Sequence, residues 1–243
     1  MRGLLALVRV ELVLTLRRGE SVLVTLGIPV GLLVFFSLVD VLPTGAAPGD
    51  DPVDFLAPGV LALAVMSTAM VSLGIATGFE RQYGVLKRLG ATPLGRPRLL
   101  AAKTGSVLAV EVLQVSVLVP VALALGWSPA GGWGVAAAGL LLGTVAFAGL
   151  GLLLAGTLRA EVTLAAANGL YLALLLLGGM VIPLSELPAG LRAVAEVLPA
   201  AALSDVVAGA LTDRVAIPAR AWLVLVAWAV AAPVVAAWQF RWE

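Results

Sequence analysis

Six times between Ser21 and Phe240 the chain runs for some twenty residues almost free of charge. A helix needs roughly that length to cross a hydrocarbon layer about 30 Å thick. The runs fall at about 21–42, 55–79, 104–127, 133–158, 162–182 and 219–240. The first is longer than the apolar core of a signal peptide, about 7–15 residues, and is read as a retained span. Of the 243 residues 61% are hydrophobic and 12% charged, with a mean hydropathy of +1.10. A soluble fold of this size has no interior large enough for so much apolar surface. The expected fold is an all-α polytopic membrane protein, one transmembrane domain over 1–243, with lipid as its solvent.

Six spans put both chain ends on one side of the membrane, and basic flanks mark the cytoplasmic side. One set of flanks holds Arg2, Arg9, Arg17, Arg18, Arg81, Lys87, Arg88, Arg96, Arg98, Lys103, Arg159 and Arg241. The other holds Arg192, Arg214 and Arg220, with Asp40, Asp50, Asp51, Asp54, Glu186, Glu196, Asp205 and Asp213. Twelve basic residues against three place both termini, and the loop between spans two and three, in the cytosol.

The chain has no Cys and no His. That leaves no disulfide, no zinc site built on those ligands and no Ser-His-Asp or Cys-His triad. Neither lysine, Lys87 or Lys103, sits in a phosphate-binding G-x-x-x-x-G-K-[ST] loop. No catalytic residue, metal or bound cofactor is therefore expected. An intramembrane enzyme is disfavoured further by the lack of an acidic cluster within the spans.

The cytosolic loop reads "GFERQYGVLKRLGATPLGRPR", Gly78 to Arg98, and carries six charged side chains. On a helical wheel over Glu80–Gly90, Val85, Leu86 and Leu89 share one side, while Glu80, Arg81, Lys87 and Arg88 take the other. Gly90 and then Pro93 are stop signals. The pattern predicts a short amphipathic helix beside the membrane. Spacing alone fits two roles equally, a solvated loop that fixes topology against lipid phosphates and a docking helix for a cytosolic partner.

Four further features stand out. The charges of Arg2–Glu20 do not gather on one face. Leu191, Val194, Ala195 and Leu198 form a helical stripe that Pro199 breaks, and Leu203, Val206, Val207 and Ala210 start a second. This predicts two amphipathic helices over 184–212 dipping into the outer leaflet. GxxxG pairs at Gly27–Gly31, Gly74–Gly78 and Gly139–Gly143 suit close helix packing. Glu111 and Gln114 share a face of span three, and an intramembrane carboxylate is costly. A contact to a neighbouring helix is favoured over a substrate contact, with Glu111 placed near the cytoplasmic interface.

The loop "GFERQYGVLKRLGATPLGRPRLLAAKTGSVL" resembles the segment between spans two and three of the ABC-2 type exporter permeases. "LVRVELVLTLRRGESVLVTLGIPVGLLVFF" resembles that family's N-terminal segment. "LLLLGGMVIPLSELPAGLRAVAEVLPAAALSDVVAGAL" resembles its span five and the outer hairpin that follows. The likeness covers essentially the whole chain and rests on the order and spacing of loose motifs. It implies an interfacial helix over 1–20, a coupling loop over 80–98 and an outer re-entrant hairpin that caps the exit. Glu80, Arg81, Tyr83, Gly84, Leu86, Lys87, Arg88 and Leu89 would then contact the ATPase subunit, as a lever continuous with spans two and three.

The resemblance further implies a half-transporter that pairs with a second permease chain, as a homodimer in the first instance or with a related chain. Two separate ATP-binding subunits would bind ATP and Mg and power it; no nucleic acid is expected. Spans two and five would line the path, with Met66, Ser67, Met70, Ser72, Asn168 and Tyr171 available on them. The implied function is outward movement of a hydrophobic or amphipathic substrate, whether drug, antibiotic or lipid-like. The implied place is a bacterial cytoplasmic membrane, and Ala/Gly/Leu/Val/Arg-rich composition with little Lys fits such a genome. The alternative is a stand-alone channel or secondary transporter. Such proteins usually keep several mid-membrane charges or broken helices in repeated halves.

Overall fold

The computed structural model describes residues 19–39, 51–90, 96–212 and 216–240. Regular structure among them is helical throughout. In chain order come α1 (Gly19–Leu38) and α2 (Pro52–Met66), which passes through a π-helical stretch (Ser67–Ser72) into α3 (Leu73–Gln82). The short α4 (Val85–Gly90) follows, then α5 (Arg96–Ala124), α6 (Trp133–Thr157) and α7 (Ala160–Leu177). A 3-10 turn (Leu184–Glu186) leads to α8 (Ala189–Ala195) and α9 (Pro199–Leu211), and α10 (Ala219–Gln239) closes the described chain. The expected interfacial helix over 1–20 lies outside the described residues, save for its last two. So do Arg241 and 91–95 of the coupling loop.

Among the described residues, five stretches are long and apolar enough to cross a membrane. They are Pro52–Gln82, Ala101–Ala124, Trp133–Thr157, Ala160–Leu177 and Ala219–Gln239. α1 is apolar over Thr25–Leu38. The second stretch outgrows the 55–79 read from hydropathy, and α5 starts at Arg96, well before the expected 104. Hydropathy follows apolar side chains, whereas a helix continues as long as its backbone bonds do. At 1.5 Å per residue the 31 residues of Pro52–Gln82 are about 46 Å long and overshoot the hydrocarbon layer.

That long helix is the centre of the bundle. Leu56–Met66 are buried without a break, as expected of a helix that is apolar all round. Glycine lets its neighbours approach. A Cβ added to Gly151 of α6 would stand 2.5 Å from the Met70 carbonyl in the π stretch, and one on Gly149 would stand 2.5 Å from Pro233 N of α10. Two of the three GxxxG pairs serve such internal packing. Gly139 and Gly143 abut Val206 and Leu203 of α9, and Gly74 and Gly78 abut Gly151 and Thr163. Gly27 and Gly31 have nothing within 4 Å.

In lipid every backbone group needs a partner, and Gln114 answers one such need. Pro29 has no N–H, so it leaves the Thr25 carbonyl, four residues back, without its helical bond. Gln114 Nε2 of α5 donates to that carbonyl at 3.0 Å, and Gln114 Oε1 accepts from Thr68 Oγ1 of the π stretch at 3.1 Å. One amide therefore ties α5 to α1 and to the central helix. One turn away, Glu111 accepts a hydrogen bond from Thr144 Oγ1 of α6. α5 begins at Arg96, so Glu111 stands about 22 Å along the helix axis and about 15 Å beyond Ala101, where the apolar stretch starts.

The α8–α9 pair bends by 84°, but α9 does not present one apolar stripe to lipid. Ala200, Ala201, Ala202 and Leu203 are successive residues and all are 2% exposed or less. The small side chains let α9 sit enclosed against α6, α2 and α10, which a stripe of larger residues would not allow.

Candidate functional site

Of the basic residues singled out from sequence, Arg81, Lys87, Arg88 and Arg159 lie where α3 ends, α4 follows and α6 passes into α7. The expected single helix over Glu80–Gly90 does not form. The helix of the second span runs on to Gln82 and stops at a glycine turn. Tyr83 N bonds the Phe79 carbonyl at 2.9 Å, and Gly84 N bonds the Arg81 carbonyl at 3.0 Å. Gly84 has φ +72°, a left-handed value that glycine adopts freely and that commonly ends helices. A helical wheel cannot register such a stop, because it assumes the helix it tests.

The turn divides the expected coupling residues into two sets. Glu80 and Arg81 face inward. Glu80 Oε2 pairs with Lys103 Nζ of α5 at 2.6 Å, with Lys103 1% exposed and Glu80 21%. The Arg81 guanidinium donates to the Leu158 carbonyl just past the end of α6, a group that a helix C-terminus leaves without an internal partner. Beside them Gln82 Nε2 donates to Glu161 Oε1 in the first turn of α7 at 2.9 Å.

The second set lies on the outside. Tyr83 is 72% exposed and its ring stacks on Phe79 at a centroid distance of 6.2 Å. Val85, Lys87 and Arg88 are exposed as well. Leu86 is fully buried and fixes α4 against the bundle. The side chain of Leu89 lies outside what is described. Between the two segments opens a cavity of about 440 Å³ lined by Arg81, Gln82, Lys87, Arg159 and Glu161, among others. Its rim carries three cations and one anion, so it suits acidic groups.

Sequence reasoning missed Lys103, Gln82 and Glu161 as members of this site. It counted Lys103 only as a basic flank. The available signal was its position, a lone lysine at the start of an apolar span, 23 residues after a lone glutamate at the end of the preceding one. Among the described residues no group of three or more Asp or Glu side chains is placed to hold a metal ion.

The six residues assigned to a path separate by exposure. Met66 and Met70 are fully buried inside the chain's own bundle. Ser72 and Asn168 are exposed, and Ser67 and Tyr171 are intermediate. Ser67 Oγ and Asn168 Nδ2 each donate to a carbonyl of their own helix, Ala64 at 3.1 Å and Leu164 at 2.8 Å. That lowers their polarity toward lipid. The π stretch and α3 pack beside α7, so these residues lie on neighbouring helices.

No curated protein matches the chain. The family model of the ABC-2 type transporter matches residues 2–211, a range that includes the basic turn, the central helix, α7 and the whole α8–α9 pair. The chain is a membrane-spanning permease component of the ABC-2 type transporter family.

Proposed function

We propose that the chain is the permease half of an exporter, with its basic end in the cytosol. Two copies pair in the membrane, and an ATP-binding subunit docks beneath each, binding ATP and Mg. The docking face is Tyr83, Lys87 and Arg88, presented around the Gly84 turn, with Leu86 holding the short helix in place. The carrying observation is the division of the basic turn. Glu80 and Arg81 make contacts inside the chain, and around the Gly84 turn the side chains of Tyr83, Lys87 and Arg88 form an exposed group of one aromatic ring and two cations. A loop that only fixed topology would need the cations alone. Basic flanks supply the orientation.

The path runs between the two chains along the central helix and α7, with Ser72 and Asn168 at its surface, Ser67 and Tyr171 beside them, and Met66 and Met70 behind. A wall so apolar favours a hydrophobic or amphipathic substrate moved outward across a bacterial membrane.

The test is to express the chain with the ATP-binding subunit encoded beside it, purify through a tag on the permease, and count subunits by native mass spectrometry. Wild type should hold two ATP-binding subunits per two permease chains. Tyr83→Ala combined with Lys87→Glu and Arg88→Glu should lose them. Retention by that variant, or no binding by wild type, overturns the assignment and favours the stand-alone channel or secondary transporter.

A further inference from the structure

Three consecutive residues at the end of α3 reach three different helices. Glu80 pairs with Lys103 of α5, Arg81 bonds the Leu158 carbonyl behind α6, and Gln82 bonds Glu161 of α7. Successive residues on a helix are about 100° apart, so three in a row fan over about 200° of its circumference. The end of the central helix is thereby tied to three neighbours at one level of the bundle.

The tie matters because α4 is not continuous with α3. The Tyr83–Gly84 turn interrupts the helix, and no described atom lies within 4 Å of a Cβ built on Gly84. A glycine turn alone is a poor lever. Leu86 is fully buried and holds α4 where it packs on α3. Motion imposed on α4 therefore arrives at the last turn of α3, where the three links begin. The link to α5 is of the strong kind. An ammonium held at 1% exposure has exchanged water for protein partners, and taking a carboxylate away from a buried cation is costly. Exposed pairs, by contrast, contribute little.

We infer that Glu80 and Lys103 are positioning residues of the transport cycle, locking the end of α3 to α5 so that displacement of α4 moves α3, α5 and the α6–α7 junction as one body. Arg81 and Gln82 extend the lock to α6 and α7. The inference rests on the docking of an ATP-binding subunit at Tyr83, Lys87 and Arg88 proposed above. It adds residues outside the docking face proposed there.

The natural absence of cysteine makes the test clean. Spin labels go on cysteines replacing Val85 and Ala101 in one variant and Val85 and Val162 in another, all exposed. Pulsed electron resonance then measures both separations in the complex with the ATP-binding subunit in nanodiscs, nucleotide-free and trapped with ATP and vanadate. The lock requires narrow separations that are the same in both states. Lys103→Met, and Glu80→Gln, which removes the counter-charge but keeps the shape, should spread them and make them differ between states, and the exchange Glu80→Lys with Lys103→Glu should restore them. Wild-type separations that change with nucleotide, or a Lys103→Met variant indistinguishable from wild type, would overturn the inference. A failure of docking itself shows separately, as loss of the ATP-binding subunit from wild type. The free chain then still reports whether Lys103→Met loosens the lock.

Discussion

The two ends of this bundle are built on opposite plans. At the hairpin end, polar groups are spent on closing the structure. Arg192 donates to the carbonyls of Leu184, Ser185 and Leu187, and Arg220 bridges Glu196 and Asp205. Trp228 Nε1 reaches the Val197 carbonyl at 3.0 Å, and Ala130 N reaches the Leu211 carbonyl at 2.9 Å. At the basic end a similar set of bonds ties Glu80, Arg81 and Gln82 into the bundle, and the side chains of Tyr83, Lys87 and Arg88 are exposed. On the reading proposed above, one end is a plug and the other a handle. An exposed aromatic ring beside two exposed cations suits the surface of a partner, whereas bonds closed within the chain suit a region that only needs to be stable.

Substitutions that overfill, unpair, strain or merely trim should rank these two ends. The largest effect is expected at the hairpin end, where Gly132 and Gly59 press on the carbonyls of Ala210 and Met180. Gly132→Val drives a side chain into backbone that cannot yield, costing 3 kcal/mol or more, about the upper range for overpacking. Thermal melting of the purified protein, followed by tryptophan fluorescence, should drop by many degrees. Close behind comes Glu80→Ala at the basic end. It removes the carboxylate that pairs with the buried Lys103 and should cost about 3 kcal/mol by the same assay, the lower end for breaking a buried pair. Lys103→Met removes the buried charge and should cost clearly less. If the two variants melt alike, the pair is not the buried ion pair described here.

Gly84→Val ranks third. A β-branched residue at φ +72° should cost about 1–2 kcal/mol. The damage should stay local, seen as faster proteolysis between α3 and α4 with little change in melting. Arg220→Ala is the smallest. Its side chain is 43% exposed, so the bridges should contribute about 0–1 kcal/mol, and a melt within a degree or two of wild type is expected. A large drop there would mean that the plug depends on charge and not on the packing of α9.

These rankings also show what the sequence could reveal. Long apolar runs are local and one-dimensional, so hydropathy found the five helices that are long and apolar enough to cross among the described residues. Among those residues the run at 21–42 is apolar helix only over Thr25–Leu38. The basic flanks marked one end as different from the other. Partners could not be found that way. The wheel over Glu80–Gly90 grouped Glu80 and Arg81 with Lys87 and Arg88 because it carried one helix through Gly84. The actual turn, at the modest expense of a glycine in a position it favours, sends the first pair inward and leaves the second pair outside. Lys103 and Glu80 meet only because two spans lie side by side. Gln114 is meaningful only beside Pro29, in another helix, whose missing N–H makes the Thr25 carbonyl available. For α9 the misleading signal was the apolar stripe at Leu203, Val206 and Val207. Alanines at 200–202 let the remaining faces be buried too.

The comparison of handle and plug is tested most directly by site-specific photo-crosslinking in membranes that contain the chain and its ATP-binding subunit. A photoreactive amino acid would replace Tyr83, Lys87 or Arg88 at one end, and Ser185, Gly190 or Val194 at the other. All six positions are exposed. Adducts to the ATP-binding subunit are expected from the first three and from none of the second three. Adducts from the hairpin end, or none from Tyr83, Lys87 and Arg88 while the complex is intact, would contradict the account.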